Sequence, residues 1–491
     1  MATTNFPRLT GRAVFACVTA NMSDHSSETT AARSQEQCHW SFVASRRPHV
    51  LQITNHGIHD WTVTPGLPDT GGQNLFVNQM TASLADLGYR ITIANRGGYP
   101  HPLTGRARRG LEYLDPNRRI LLLEDSHPQF VRKETMAPRI PELADFLLRF
   151  LDAEAGWPDL IVSHYWDAAA LGVALNGQLR DCKEHFWIPH SLGAVKKRNM
   201  PSRTWEGLHL HERIETERTL LKDLDGVAAT SNTIRKSLHD DYGCATDLFL
   251  PPCVENDRFR PREVPDDDPV WTFLADHSAL SSGELRRSRI VTEISRTDRT
   301  KCKDLLIRAF AATLEEVKDA VLVLTIDPEA RPLADELESL INDLGVSERI
   351  IRLGFVRKQL PALYNITQVY CTPSVMEGFG MSVQEAAASG VPAVTSNLVP
   401  FAVEYLLGGQ VRVLEGDEKK PRLREGAGAL VVEANYTEGF TRALVGLLRD
   451  DERRRAMGAA ARDITIPHFT WEHMMEKFTA AAGFDPERPG P

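Results

Sequence analysis

Residues 369–396 read VYCTPSVMEGFGMSVQEAAASGVPAVTS. A short apolar run, a loop broken by glycines, an alanine-rich helical segment and a second apolar run follow one another. Two buried strands joined through a helix form a right-handed crossover, which sets the strands parallel. Glu377 falls in the loop after the first strand, and Glu385 falls inside the helix that follows.

The same alternation extends upstream from 289. RIVTEIS (289–295), AVLVLTI (320–326) and RIIRLGF (349–355) read as strands, separated by helical patterns such as KDLLIRAFAATLEEV (303–317). An earlier series begins with HVLQIT (49–54). A glycine loop and a helix with an apolar stripe of Phe76, Met80, Leu84 and Leu87 come next, then the strand RITIAN. DLIVSHY (159–165), EHFWIPHS (184–191) and GVAATS (226–231) continue it. The fold class expected is α/β: two doubly wound, Rossmann-like domains facing across a cleft. The turn-rich PPCVENDRFRP (251–261) marks the linker. The first domain is expected over 48–254 and the second over 255–466, with a last helix at 467–484 returning to the first. Residues 1–47 are polar without a period and are read as a disordered tail. Residues 262–289 read as an insertion or an extended hinge.

Bulk properties narrow the classes. The chain has 491 residues, 42% hydrophobic and 25% charged, with a net charge of −9. That balance argues against a nucleic-acid partner. Seven scattered cysteines include no CxxC pair, so neither a zinc site nor a disulfide frame is expected, and a cytoplasmic setting fits. No apolar run approaches the length of about 18 residues that a membrane span requires. The basic GRARRG (105–110) is read as a solvated loop, so membrane contact is not expected.

Ligands of open parallel sheets bind at the carboxyl ends of strands, where helix N-termini point outward. Four stretches lie there. DTGGQ (69–73) sets Gly71 and Gly72 at a helix start, either to approach a phosphate or sugar closely or only to make a turn; Gln73 adds a polar group. SRTDRTK (295–301) puts Arg296 and Lys301 after the first strand of the second series, as a diphosphate grip or a solvated loop. MEGFGMSVQE either sets Glu377 to accept from sugar hydroxyls, Gly378 and Gly380 to expose backbone amides, a helix start near Met381 toward phosphate and Glu385 toward ribose, or holds Glu377 only as a cap and Glu385 as an exposed helix residue. His190 (IPHSLG) and His164 (SHYWDA) each follow a strand, and His164 reads better as structural. Lys196 can meet an anion. Arg213 and Glu217 read as a surface pair four residues apart.

Taken together, DTGGQ, SHYWDA, PHSLGAVKKR, the Arg–Lys loop and the two glutamates resemble the retaining GT-B glycosyltransferases, most closely the sucrose-phosphate and mannosylfructose-phosphate synthases. The resemblance covers about 49–480. It implies a hexosyltransferase with a UDP- or GDP-linked sugar as donor, no required cofactor and no metal. His190 and Glu377 would be catalytic. Gly71, Gly72, Arg296, Lys301, Gly378, Phe379, Gly380, Met381, Ser382 and Glu385 would bind the donor. Gln73, Arg96, Lys196 and Arg213 would bind a small sugar-type acceptor such as fructose 6-phosphate. The loop reads RTKC where paired lysines are common in the family. A nucleotide-sugar epimerase of the same fold and a non-catalytic nucleotide-sugar-binding regulator are the alternatives.

Overall fold

The computed structural model describes residues 26–483, except 65–66, 180–182, 201, 247, 355 and 357. They form two compact units. One holds the described residues up to Leu250 together with those from Met475 onward, and the other is Pro251–Met474.

The first unit is built on a seven-stranded sheet in the order β3-β4-β2-β1-β5-β6-β7. Its strands are β1 (His49–Ile53), β2 (Arg90–Arg96), β3 (Gly110–Asp115), β4 (Arg118–Leu123), β5 (Leu160–His164), β6 (Glu184–Ile188) and β7 (Gly226–Val227). All neighbours are parallel except the β3–β4 pair. β1 and β5 are buried along their whole length, as strands covered on both faces must be. The helix Gly72–Asp86 buries Phe76, Val77, Met80 and Leu84, the stripe read from the sequence less Leu87, which caps its end.

The sheet winds outward from β1 through β2 to β4 and then returns, with β5, to the other side of β1. The β1/β5 boundary is therefore the switch point, where doubly wound sheets open a crevice at their carboxyl edge.

The second unit carries eight strands in the order β10-β9-β8-β11-β12-β15-β14-β13. They are β8 (Arg289–Glu293), β9 (Ala320–Thr325), β10 (Ile350–Leu353), β11 (Val369–Thr372), β12 (Ala393–Ser396), β13 (Arg412–Gly416), β14 (Pro421–Glu425) and β15 (Ala429–Val432). The first six in that order run parallel, and β14 and β13 add an antiparallel edge. Here the switch point lies between β8 and β11. The helix Met381–Ala388 buries Val383 and three consecutive alanines, whose small side chains let it lie close to the sheet.

Several expectations are corrected. The segment read as a disordered tail contains a helix, Ser26–Ala44. It packs on the first sheet: Phe42 is buried, with the Arg119 guanidinium 3.9 Å over its ring. Gln35 exchanges two hydrogen bonds with the backbone of Tyr113, at 2.8 and 3.0 Å. Residues 1–25 lie outside the described residues. The 262–289 stretch, read as an insertion or an extended hinge, is not extended throughout: Asp268 and Ser281 cap the short helices Pro269–Ala275 and Ser282–Leu285, which bury Trp271, Leu274 and Leu285. GVAATS yields a strand of only two residues. In GRARRG, Arg108 is buried rather than solvated, paired with Asp60 at 2.6 Å and with Asn95 at 2.8 Å.

Candidate active site

In the second unit, the loops after β8 and β11 meet across the switch point. Asp298 caps the short 3-10 turn Arg299–Lys301, and Val375 donates to the Thr300 carbonyl at 2.8 Å. This brings Lys301 Nζ to 2.5 Å from Glu377 Oε1. Two residues the sequence placed on separate loops thus form one ion pair. Arg296 is exposed and makes no ion pair among the described residues. Gly378 is exposed, and a Cβ there would meet nothing. Gly380 adopts φ +107, which only glycine tolerates, and a Cβ would lie 2.8 Å from Val399. Phe379 is buried among Phe401, Tyr405 and Phe469 and so anchors the loop rather than facing a ligand.

Met381 opens the helix, and Ser382 Oγ accepts from the Tyr370 hydroxyl at 2.8 Å. Glu385 accepts from the Tyr364 hydroxyl at 3.2 Å. Burial pushes the Glu385 carboxyl up to about 7, against the opposing Tyr364 hydrogen bond and Arg258 charge. Its charge is therefore poised near neutral pH.

Beneath the Arg296 loop sits a residue the sequence reading passed over. Lys303 is buried, pairs with Glu293, and bonds Ser295 Oγ at 3.0 Å and Thr325 Oγ1 at 3.3 Å. Burial lowers its ammonium, with Glu293 opposing. It is a second lysine two positions after Lys301, and it fastens the start of the loop to the sheet.

In the first unit, the carboxyl ends of β1, β5 and β6 converge. Asp69, Tyr165 and His190 all take positive φ, a strained backbone for residues with a Cβ, and such strain concentrates at functional sites. His190 Nε2 lies 3.0 Å from His164 Nδ1, and His164 Nε2 lies 2.9 Å from Gln52 Oε1. Gln52 in turn donates to Thr81 Oγ1 at 2.7 Å. Burial drives His164 well below its usual value and His190 to about 3, so both rings are neutral. The amide oxygen of Gln52 only accepts. His164 must therefore carry its proton on Nε2, and His190 must donate from Nε2, which leaves His190 Nδ1 as an acceptor.

A cleft in the same unit is lined by Lys133, Glu134, Tyr165, Trp166, His209 and Arg213. Lys133 pairs with Asp69 and lies 3.4 Å from Glu134, whose carboxylate is 3.8 Å from Lys196. Burial, then the charges of Arg213 and Lys133, lower the Lys196 ammonium. Gln73 donates to Thr54 Oγ1 at 3.2 Å. Gly71 precedes the helix that Gly72 begins, and a Cβ at Gly71 would meet nothing within 4 Å.

Two acceptor-side expectations change. Arg96 is 1% exposed; it makes a two-pronged pair with Asp125 at 2.7 and 2.8 Å and donates to the carbonyls of His127 and Gln129. Those bonds use its guanidinium to clamp a loop and leave it no role as a phosphate contact. Arg213 is not a surface residue: it is buried with Glu217 at 2.8 Å, Tyr165 Oη at 2.6 Å and the Ser191 carbonyl at 2.6 Å. It ties the strand-end loops together at the cleft wall. Among the described residues no group of three or more His, Cys, Asp or Glu is arranged to hold a metal ion, and no helix is long and apolar enough to cross a membrane.

Comparison with known proteins assigns the class. Residues 70–250 match the family model described as Glycosyltransferase Family 4, and residues 281–464 the one described as Glycosyl transferases group 1. The chain is a glycosyltransferase with the two Rossmann-like domains of the GT-B type. Mannosylfructose-phosphate synthase of Agrobacterium fabrum is 28% identical over 366 residues, 72% of this chain and 76% of the relative. A D-inositol 3-phosphate glycosyltransferase of Corynebacterium kroppenstedtii is 24% identical over 418 residues, 83% of this chain and 84% of the relative. Among solved structures, a sucrose-phosphate synthase from Thermosynechococcus elongatus overlays with a TM-score of 0.68 at 20% identity, over 89% of this chain and 98% of the other, which is a likeness of fold.

Proposed function

We propose that this protein transfers a hexose, with retention of configuration, from a nucleotide sugar such as UDP-glucose or GDP-mannose to a small phosphorylated sugar acceptor, fructose 6-phosphate being the first candidate. The observation that carries this reading is the Lys301–Glu377 pair at the second unit's switch point. A diphosphate draws the ammonium and a sugar's hydroxyls draw the carboxylate, so a nucleotide sugar can replace both halves of one ion pair. Arg296 adds an uncommitted cation, and the amides of Gly378 and Gly380 with the start of the helix at Met381 add donors to developing negative charge. Glu385 would hold the ribose hydroxyls. The leaving diphosphate then gains stabilisation as the glycosidic bond breaks, without a required metal.

On the acceptor side, Lys133 and Arg213 line one cleft, and Lys196 lies 3.8 Å from Glu134 in its wall. The relatives' own names, mannosylfructose-phosphate synthase and D-inositol 3-phosphate glycosyltransferase, each contain a phosphorylated sugar or polyol. A cationic wall suits such a substrate. His190, neutral and fixed in one tautomer, would orient the sugar in transfer.

A donor-by-acceptor screen read by mass spectrometry tests this, beginning with UDP-glucose and GDP-mannose against fructose 6-phosphate. The expected product is a phosphorylated disaccharide. A new nucleotide sugar formed without acceptor would instead make the protein an epimerase, and nucleotide binding without turnover across the whole screen would make it a regulator.

A further inference from the structure

The loop leaving β1 carries a pairing that the donor side does not use. His56 Nδ1 lies 2.9 Å from Asp167 Oδ1, at the second position of the helix Trp166–Asn176. His56 follows β1 and Asp167 follows β5, so the pair spans the first unit's switch point, as Lys301–Glu377 spans the second's. Asp167 is fully buried, and its Oδ2 has no hydrogen-bond partner among the described residues. Asn55 donates to the Asp167 carbonyl at 3.0 Å, which fixes the helix start against the loop. The His56 ring packs edge-on to Tyr165 at 4.7 Å. Gly57 takes φ +74, and a Cβ there would lie 2.3 Å from the Asp69 carbonyl oxygen, so glycine alone lets the His56 turn lie on the DTGGQ loop.

A carboxylate oxygen accepts, so His56 carries a proton on Nδ1, and in the neutral ring Nε2 is then an acceptor. Nε2 makes no hydrogen bond among the described residues. An imidazole held by a buried carboxylate at a strand end, itself only 5% exposed and with its other nitrogen unpaired among the described residues, is suited to receive a hydroxyl proton donor. The titratable groups facing it are Asp167 from the helix after β5, Asp69 from the glycine loop, His190 from the loop after β6, and Tyr165.

We propose that His56, aimed by Asp167, receives the hydrogen bond of an acceptor-sugar hydroxyl through Nε2 and so places that hydroxyl for transfer. Asp167 is a positioning residue: its charge keeps the imidazole proton on Nδ1. This rests on the glycosyl-transfer reading above.

The test uses the full chain with UDP-glucose as donor and fructose 6-phosphate, or failing it the fastest acceptor of the screen. Asp167→Asn keeps the shape and removes the charge; His56→Ala removes the ring. Each is expected to raise the acceptor KM on the order of tenfold to 100-fold, the loss of a hydrogen bond to a charged or charge-oriented group. The donor KM and the UDP-induced rise in Tm stay at wild-type values. Imidazole nitrogen NMR is expected to find His56 protonated on Nδ1 in the wild type.

An unchanged acceptor KM in either active variant, or a wild-type His56 protonated on Nε2, overturns the inference alone. A parallel loss of donor and acceptor binding with a lowered Tm reduces the pair to packing and also overturns it. Absence of transfer to any acceptor overturns the transferase reading, and this inference falls with it.

Discussion

Each unit sets a pair of side chains across its own switch point, and the two pairs are finished differently. Lys301 and Glu377 satisfy one another at 2.5 Å. His56 and Asp167 leave a ring nitrogen and a carboxylate oxygen without partners among the described residues. A closed pair must open for its ligand, so binding there trades one interaction for others and selects a ligand with both charge and hydroxyls. An open pair discriminates by leaving a polar group unpaired when the wrong ligand arrives. On the proposed reading, the same fold gives one unit a displacement site and the other a waiting site.

Perturbing the two sides should separate them. Arg96 belongs to the frame of the first unit, so Arg96→Met is expected to lower stability by about 3 kcal/mol by taking the guanidinium from Asp125, which keeps only the His127 backbone N–H among the described residues. Thermal denaturation reads that loss, and UDP affinity measured below the transition should not change. If UDP affinity drops as well, the two units are not independent in binding.

Glu377→Gln breaks the closed pair. The kcat/KM for transfer is expected to fall on the order of 100- to 1,000-fold, with UDP affinity held or improved because Lys301 is released. An equal loss in both quantities would place Glu377 in nucleotide binding rather than in transfer. Glu385→Ala should weaken UDP on the order of tenfold to 100-fold and erase the UDP-induced rise in Tm.

Acidity sharpens the same point. With its carboxyl raised to about 7, Glu385 is mostly charged at pH 8 and mostly neutral at pH 6. UDP affinity is expected to weaken by up to about tenfold per pH unit below 7 relative to the Glu385→Gln variant, as isothermal titration can show. Stability of the ligand-free protein runs the opposite way. A raised carboxyl favours the folded state while protonated, so about 3 kcal/mol is present below pH 4.5 and is lost as the pH rises through 7. The smallest effect belongs to Arg296→Ala, expected to weaken UDP roughly fivefold without moving Tm, since the side chain is exposed and makes no ion pair.

Sequence patterning exposed what depends on local periodicity. The alternation of apolar runs and helical stripes located β1, β2, β5, β6 and most of the second sheet, and the glycine spacing located the Glu377 loop. What escaped depends on distant partners. Arg96 at a strand end reads the same whether it faces a phosphate or Asp125 further along the chain. Arg213 and Glu217 show the spacing of a surface pair, and burial comes from Tyr165 and Ser191, about 48 and 22 residues away. Asp167 stood inside SHYWDA, and His56 in an ordinary turn; only the switch point that brings β1 beside β5 shows them as a pair. The helix Ser26–Ala44 lacks an apolar stripe because it is held largely by Gln35, His39 and Phe42.

That helix has a consequence for solubility. β3 is the outermost strand of its sheet, and the carboxamide of Gln35 bonds both the N–H and the carbonyl of Tyr113, as a neighbouring strand would. Remove the helix, and the backbone N–H and carbonyl of Tyr113 are left unpaired on an edge strand, where another copy of the chain can pair. A protein trimmed to begin at β1 should therefore self-associate in proportion to its concentration while its nucleotide site stays intact.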